Sequence, residues 1–153
     1  MHEELVISDA SPLIALADIG ELDLLLHLYQ RIVITDIVQN EIQKDLPDWI
    51  EVSTDYDQRQ LQILSLELDE GEASAIALAL ENPHSRIILD ERKGRSVAKR
   101  LGLKITGTLG IIIKAKNEGL IESGKIILDK LEEHGFWLSS QLKKQLLDRL
   151  REE

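Results

Sequence analysis

Leu5-Val6-Ile7-Ser8-Asp9 is a short apolar run with β-branched residues that ends in a carboxylate and then meets Ser11-Pro12. A strand that is apolar on both faces belongs in a parallel sheet covered by helices. Asp9 then stands at the strand's carboxyl end, outside which the ligand crevices of open α/β sheets lie. Arg86-Ile87-Ile88-Leu89-Asp90 repeats the design: a short apolar strand, an aspartate at its end, and a helix after it. Two carboxylates brought to one edge would make a site for a cation.

Outward from these two stretches, short strands alternate with helices, and no Ser/Gly linker, low-complexity tract or internal repeat interrupts them. The alternation predicts one α/β domain over residues 1–153, a three-layer α/β/α sandwich around a mainly parallel sheet. Ser11-Pro12 is read as an N-cap with proline at the first helical position, and Gly20 as the stop of that helix. A second apolar helix runs from Glu21 to about Leu28 and leads to the strand Arg31-Ile32-Val33-Ile34. Thr35 then opens a helix through about Asp45, with Pro47 beyond its end. Asp48 to Val52 is an edge strand or irregular, and Thr54-x-x-Asp57 has the form of a capping box before a polar helix to about Leu66. Lys104-Ile105-Thr106 is a further strand, Gly107-Thr108 opens a helix that Gly119 closes, and two more helices follow, from Ser123 and from Ser139.

Two more acids sit where a buried face is expected. Glu41 follows Ile37 by four residues and Val38 by three, which places it beside or within the stripe of Ile37, Val38 and Ile42. An inward carboxylate needs a cation or a hydrogen-bond partner. The plainer alternative, favoured on spacing alone, has Glu41 at the stripe's edge, reaching solvent and pairing with Lys44. Glu72 opens Ala73-Ser74-Ala75-Ile76-Ala77-Leu78-Ala79-Leu80, apolar or small on every side and therefore a central helix. Asp69 and Glu72 also have the spacing of a reciprocal cap. Asp90 has an equivalent plain role as an N-cap.

Past Asp90 the chain turns basic: Arg92, Lys93, Arg95, Lys99, Arg100 and Lys104 follow within a few turns. Cations beside an acidic edge suit a phosphodiester, whose backbone they would hold. A solvated helix face is the plain alternative.

Composition limits the other chemistries. The chain has 153 residues, a formal charge of −10 and no cysteine, which removes disulfides and thiolate metal sites and fits a reducing cytoplasm. The start Met1-His2-Glu3-Glu4 is acidic where a secretory signal would be basic, and no apolar run approaches the roughly 18 residues of a membrane span. Gly102 to Gly107 has the glycine spacing of a phosphate loop, but Thr108 follows where lysine is required. Neither a G-x-G-x-x-G after the first strand nor a G-x-S-x-G elbow is present, and the histidines lack ligand spacing.

Asp9, Glu41, Glu72 and Asp90, in that order along nearly the whole chain, resemble the acids of the PIN domain (PilT N-terminus-like), a nuclease fold in which separated carboxylates converge on divalent metal ions. The similarity is closest to a PIN-like subgroup related to VapC-type toxins, through Asp9-x-Ser11-x-Leu13-Ile14, Gly71-Glu72-Ala73, Asp90-x-x-x-Gly94-Arg95-x-x-Ala98-x-x-Leu101-Gly102 and Gly107-Thr108-Leu109-Gly110. The chain departs from those toxins in carrying glutamate at 72, where aspartate is usual, and Glu91-Arg92 after Asp90 with no phenylalanine following.

This resemblance implies a metal-dependent endoribonuclease. Asp9, Glu41, Glu72 and Asp90 would be catalytic and hold Mg²⁺ or Mn²⁺, hard ions suited to oxygen ligands. Ser11 and Thr108 would support them, and Arg92, Lys93, Arg95 and Lys99 would bind RNA. The implied partners are RNA, a small antitoxin protein covering the acidic crevice with an arginine, and a second copy of the chain. The implied location is the cytoplasm. The opposing reading is a PIN-like module of weak or no catalytic activity that binds RNA or protein.

Overall fold

A computed structural model describes residues 4–153, so Met1 to Glu3 of the acidic start lie outside the described residues. Five strands, β1 (Leu5–Ser8), β2 (Ile32–Thr35), β3 (Ile50–Ser53), β4 (Ser85–Ile88) and β5 (Lys104–Thr106), form one sheet in the order β3-β2-β1-β4-β5. Every pairing is parallel. The chain builds outward from β1 to β3, then returns to add β4 and β5 on the other side of β1. The order therefore reverses between β1 and β4, which is where such sheets bind ligands. Ser8 pairs with Ile88 in register, so the residues that follow, Asp9 on one strand and Leu89-Asp90 on the other, leave the sheet side by side.

Alternation along the strands feeds two cores. Val6, Ile32, Ile34 and Ile88 point to one face, covered by α1 (Ala10–Asp18), α2 (Asp23–Tyr29), α7 (Thr108–Asn117), α8 (Gly124–Glu133) and α9 (Ser140–Leu150). Ile7, Val33, Ile87 and Leu89 point to the other, covered by α4 (Gln58–Leu64), α5 (Glu70–Leu80) and α6 (Arg92–Arg100). The short α3 (Asp36–Glu41) packs against α5 and sends Val38 into the first core. The result is a three-layer α/β/α sandwich with an all-parallel sheet. Gly71 to Ala79 of α5 is buried throughout, as its small, apolar sequence requires.

Several boundaries differ from the sequence reading for local reasons. Asp9, not Ser11, holds the N-cap position of α1, and Pro12 is the third helical residue, still in the first turn where amides lack intrahelical acceptors. Helix α3 stops at Glu41 because Ile42 turns to extended backbone and buries its side chain beside Val38. Helix α4 starts at Gln58, where Asp57 accepts from the Gln60 amide at 2.9 Å, and Tyr56 just before it is tied to Asp36 at 2.6 Å. The apolar stripe of α9 packs on the chain's own core, with Leu146 and Leu150 buried.

Candidate active site

Asp9 leaves the end of β1 with its amide donating to the Ile88 carbonyl at 3.0 Å, and only 5% of the residue is exposed. Its Oδ1 is buried without a hydrogen-bond partner. Burial pushes the Asp9 carboxyl up to about 7; the Ala10 amide opposes this, while Asp69, Glu41 and Asp90 add to it. An unpartnered buried oxygen on a carboxylate surrounded by carboxylates is costly unless a cation comes.

Glu72, in the first turn of α5, is also 5% exposed. Burial raises it to about 7, reinforced by Asp69, Asp9, Glu91 and Glu41. The expected cap is present in one direction: Asp69 accepts from the Glu72 amide at 2.8 Å, which leaves the Glu72 side chain to face the other acids. Glycine makes room for it, since a Cβ at Gly94 would stand 3.0 Å from Glu72 Oε2.

Glu41 is exposed as a residue, at the edge of the stripe as its spacing favours, and it is the last residue of α3. Its head lies against α5, where burial raises its pKa, Asp69 adds to the rise, and the Gly71 amide opposes it. A Cβ at Gly71 would come within 2.7 Å of Glu41 Cδ. Lys44 does not pair with Glu41; it binds Asp18 at 2.5 Å. Helix α3 is fixed by Thr35, whose hydroxyl accepts from the Val38 amide at 3.0 Å and bonds Ser74 at 2.7 Å, while Ser74 donates to the Gly71 carbonyl. This buried chain links the end of β2 to α5 and sets the spacing of Glu41 and Glu72. Thr35 was legible as a cap; its bond to Ser74, 39 residues away, was not.

Asp90 is half-buried and caps a helix other than its own. Its Oδ1 accepts from the Thr108 amide at 2.8 Å and its Oδ2 from the Thr108 hydroxyl at 2.5 Å, at the start of α7. The N-cap position of α6 falls to Glu91, which makes no side-chain cap bond. Thr108 thus holds Asp90 through both of its oxygens, whereas Ser11 is exposed in the first turn of α1. Asp69, read from the sequence only as a cap, raises Asp9, Glu41 and Glu72 alike.

Asp9, Glu41, Glu72, Asp90 and Asp69 therefore share one field at the carboxyl edge of the sheet. Among the described residues no group of three or more histidine, aspartate or glutamate side chains is gathered tightly enough to form a finished metal-ligand set. The donor chemistry nonetheless fits a hard divalent cation: the groups are all carboxylates, Asp9 Oδ1 lacks a partner, and Gly71 and Gly94 leave space at Glu41 and Glu72.

A family model described as a PIN domain matches residues 5–152. The chain belongs to the PIN-domain family. PIN domains have a nuclease-like fold, are usually nucleases and generally use divalent metals. No curated protein and no solved structure gives a significant match to the chain. Among the described residues, no helix of this PIN domain is long and apolar enough to cross a membrane.

The basic helix of the PIN domain adjoins Asp90. Arg92, Lys93 and Lys99 are exposed and make no ion pair among the described residues. Arg92, Ser96 and Lys99 line a cleft of 460 Å³ with Asp90 and Arg95, which Lys93 does not reach. Arg95 has a structural duty as well, since its Nη1 donates to the Leu89 carbonyl at 2.7 Å. Arg100 faces away toward Glu67.

Proposed function

We propose that this PIN domain is a metal-dependent endoribonuclease that hydrolyses RNA phosphodiester bonds. The observation that carries the reading is Asp9 Oδ1, buried and without a partner in a field of other carboxylates. Asp9, Glu41, Glu72 and Asp90 would hold Mg²⁺ or Mn²⁺. Such an ion, when bound, supplies an acidified water and charge neutralisation at phosphate. The chain's own residues do the rest. Thr108 locks the rotamer of Asp90 through two bonds, and the Thr35–Ser74–Gly71 chain holds the acids of α3 and α5 in register. The unpaired cations Arg92 and Lys99 would hold flanking phosphates of the strand beside Asp90, lowering its repulsion from an acidic edge.

Incubation of the purified protein with single-stranded RNA is expected to give cleavage with Mn²⁺ or Mg²⁺ that chelator stops. Asparagine at 90 can keep both Thr108 bonds, so Asp90→Asn is expected to fold and not to cut. Varied RNAs left intact by a clean preparation, with no metal bound at millimolar concentration, would favour the non-cleaving binding module. We extend the reading to a toxin setting, in which an antitoxin's arginine would meet the carboxylates around Asp9. Growth arrest on expression, relieved by a neighbouring small gene, tests that extension; unaffected growth counts against it and leaves the nuclease standing.

A further inference from the structure

Asp90 and Arg95 line a second cleft, which Arg92 and Lys99 do not reach. This cleft, of 530 Å³, runs from Asp90 along the edge strand β5 to Phe136, Trp137, Leu142 and Arg149. Trp137 is 80% exposed, whereas Tyr29, Trp49, Tyr56 and Phe136 all pack against one core or the other. Its neighbours explain why it stays outside. Phe136 packs on the first core, Leu138 is buried in it, and Ser139 caps α9 by accepting from the Leu142 amide at 3.1 Å. Trp137 is the residue between two anchors, so its backbone is fixed while its indole faces water. The turn that delivers it passes through Gly135, whose φ of +92° suits glycine. Arg149, exposed on α9, has no carboxylate partner among the described residues.

We propose that this cleft is a base-stacking subsite for single-stranded RNA, with a nucleobase adjoining the cleaved phosphodiester laid on Trp137 and its phosphate held by Arg149. The inference rests on the nuclease reading above and adds the direction in which the strand lies. The two clefts meet at Asp90 and Arg95 but differ in chemistry. Along α6 the lining is cationic and polar, suited to phosphates. Along β5 the lining brings in Ile105, Leu109 and Ile113 with an aromatic rim and, beyond the shared Arg95, one further cation in Arg149, suited to a flat base and its phosphate. Its volume lies within the roughly 300–1,000 Å³ of small-molecule sites. A strand crossing Asp90 would thus exchange backbone contacts for a base contact as it passes the acids. Duplex RNA keeps its bases stacked inside and would offer nothing to Trp137.

The test is binding, in Mg²⁺, of a phosphorothioate RNA hexanucleotide, whose sulfur-for-oxygen replacement disfavours the hard ion and slows metal-dependent hydrolysis, followed by intrinsic fluorescence and by salt-controlled titration. Stacking is worth enough per base that Trp137→Ala is expected to weaken binding about tenfold, with Trp137→Phe retaining most of the affinity. A hexamer lacking its bases should bind wild type and Trp137→Ala equally. Because Trp137 is exposed, these variants test contact with ligand rather than folding. Wild-type binding of the intact hexamer that Trp137→Ala leaves within twofold would overturn the subsite while the RNA reading stands. An equal loss for intact and base-free hexamers would also overturn it, since the cleft would then read backbone alone. Absence of any oligonucleotide binding by wild type would remove the RNA reading and the subsite together.

Discussion

Glycine 71 carries a larger share of the site than its size implies. It lies in the first turn of α5, where alanine would be the better helix former by up to about 1 kcal/mol. An added Cβ would stand 2.7 Å from Glu41 Cδ, the far end of a flexible side chain that can swing aside into solvent. Gly71→Ala is therefore expected to leave the melting temperature unchanged or slightly raised. Cleavage should nevertheless fall about tenfold or more, the loss of roughly 1.4 kcal/mol of transition-state stabilisation, because the Glu41 carboxylate is displaced. Thermal melts beside RNA-cleavage rates separate the two effects. An undiminished rate would take Glu41 out of the catalytic set.

Among the elements, one carboxylate ties the end of α9 to the start of α8, beside the Lys143 pairs with Asp129 and Glu132. Glu152, just past α9, accepts from the Gly124 amide and Ser123 hydroxyl at 2.8 Å each and from the Lys125 amide at 3.2 Å, and pairs with Lys116 at 3.0 Å. The first turn of α8 thereby gains an acceptor for amides that have none within the helix. Partial burial works to raise the Glu152 carboxyl, but Lys116, Ser123 and the two amides outweigh it and hold the group down to about 2. A carboxyl lowered on folding contributes stability that is present above its ordinary value of 4.5 and is lost as pH falls toward 2. Glu152→Gln is expected to cost about 1–2 kcal/mol at neutral pH, taking charge-assisted bonds with some discount for solvent. The variant should also show a shallower loss of stability between pH 4.5 and 2. Urea melts across that range measure both; parallel acid limbs for variant and wild type would show that Glu152 does not govern the joint.

At the scale of the whole molecule, the charge distribution has to reconcile a net charge of −10 with a polyanionic substrate. Arg31, Lys44, Arg86, Lys116, Lys130 and Lys143 are all engaged by carboxylates. Arg92, Lys93 and Lys99 stand together on α6 and make no ion pair among the described residues, so α6 presents unneutralised positive charge near Asp90 although the chain as a whole is acidic. The double variant Arg92→Gln, Lys99→Gln is expected to weaken single-stranded RNA binding and to flatten the slope of log K against log salt by about 1.4, at about 0.7 per lost phosphate contact. Arg95 is left alone in this test because it also holds the Leu89 carbonyl. A slope equal to that of wild type would make α6 a solvated face.

The sequence by itself determined what depends on short-range pattern. Leu5-Val6-Ile7-Ser8 and Arg86-Ile87-Ile88 are apolar on both faces, and a strand with no polar side has to lie inside a covered sheet, so the layered fold and the placing of Asp9 and Asp90 at one edge were legible. The all-buried α5, the caps at Thr35, Ser123 and Ser139, and the opening of α7 at Thr108 were legible for the same reason: capping and periodicity act over a few residues. Only the tertiary structure decided which acids carry an uncompensated field and what holds them. Glu41 reaches the site from an exposed position because Gly71, 30 residues later, leaves space for it; Asp90 is held by Thr108, 18 residues on; and Trp137 meets the cleft of Asp90 because α9, packed on α7 and α8, lines that cleft together with β5. Each of these depends on a carboxylate's solvation and on contacts between distant segments, quantities that have no value until the chain has folded.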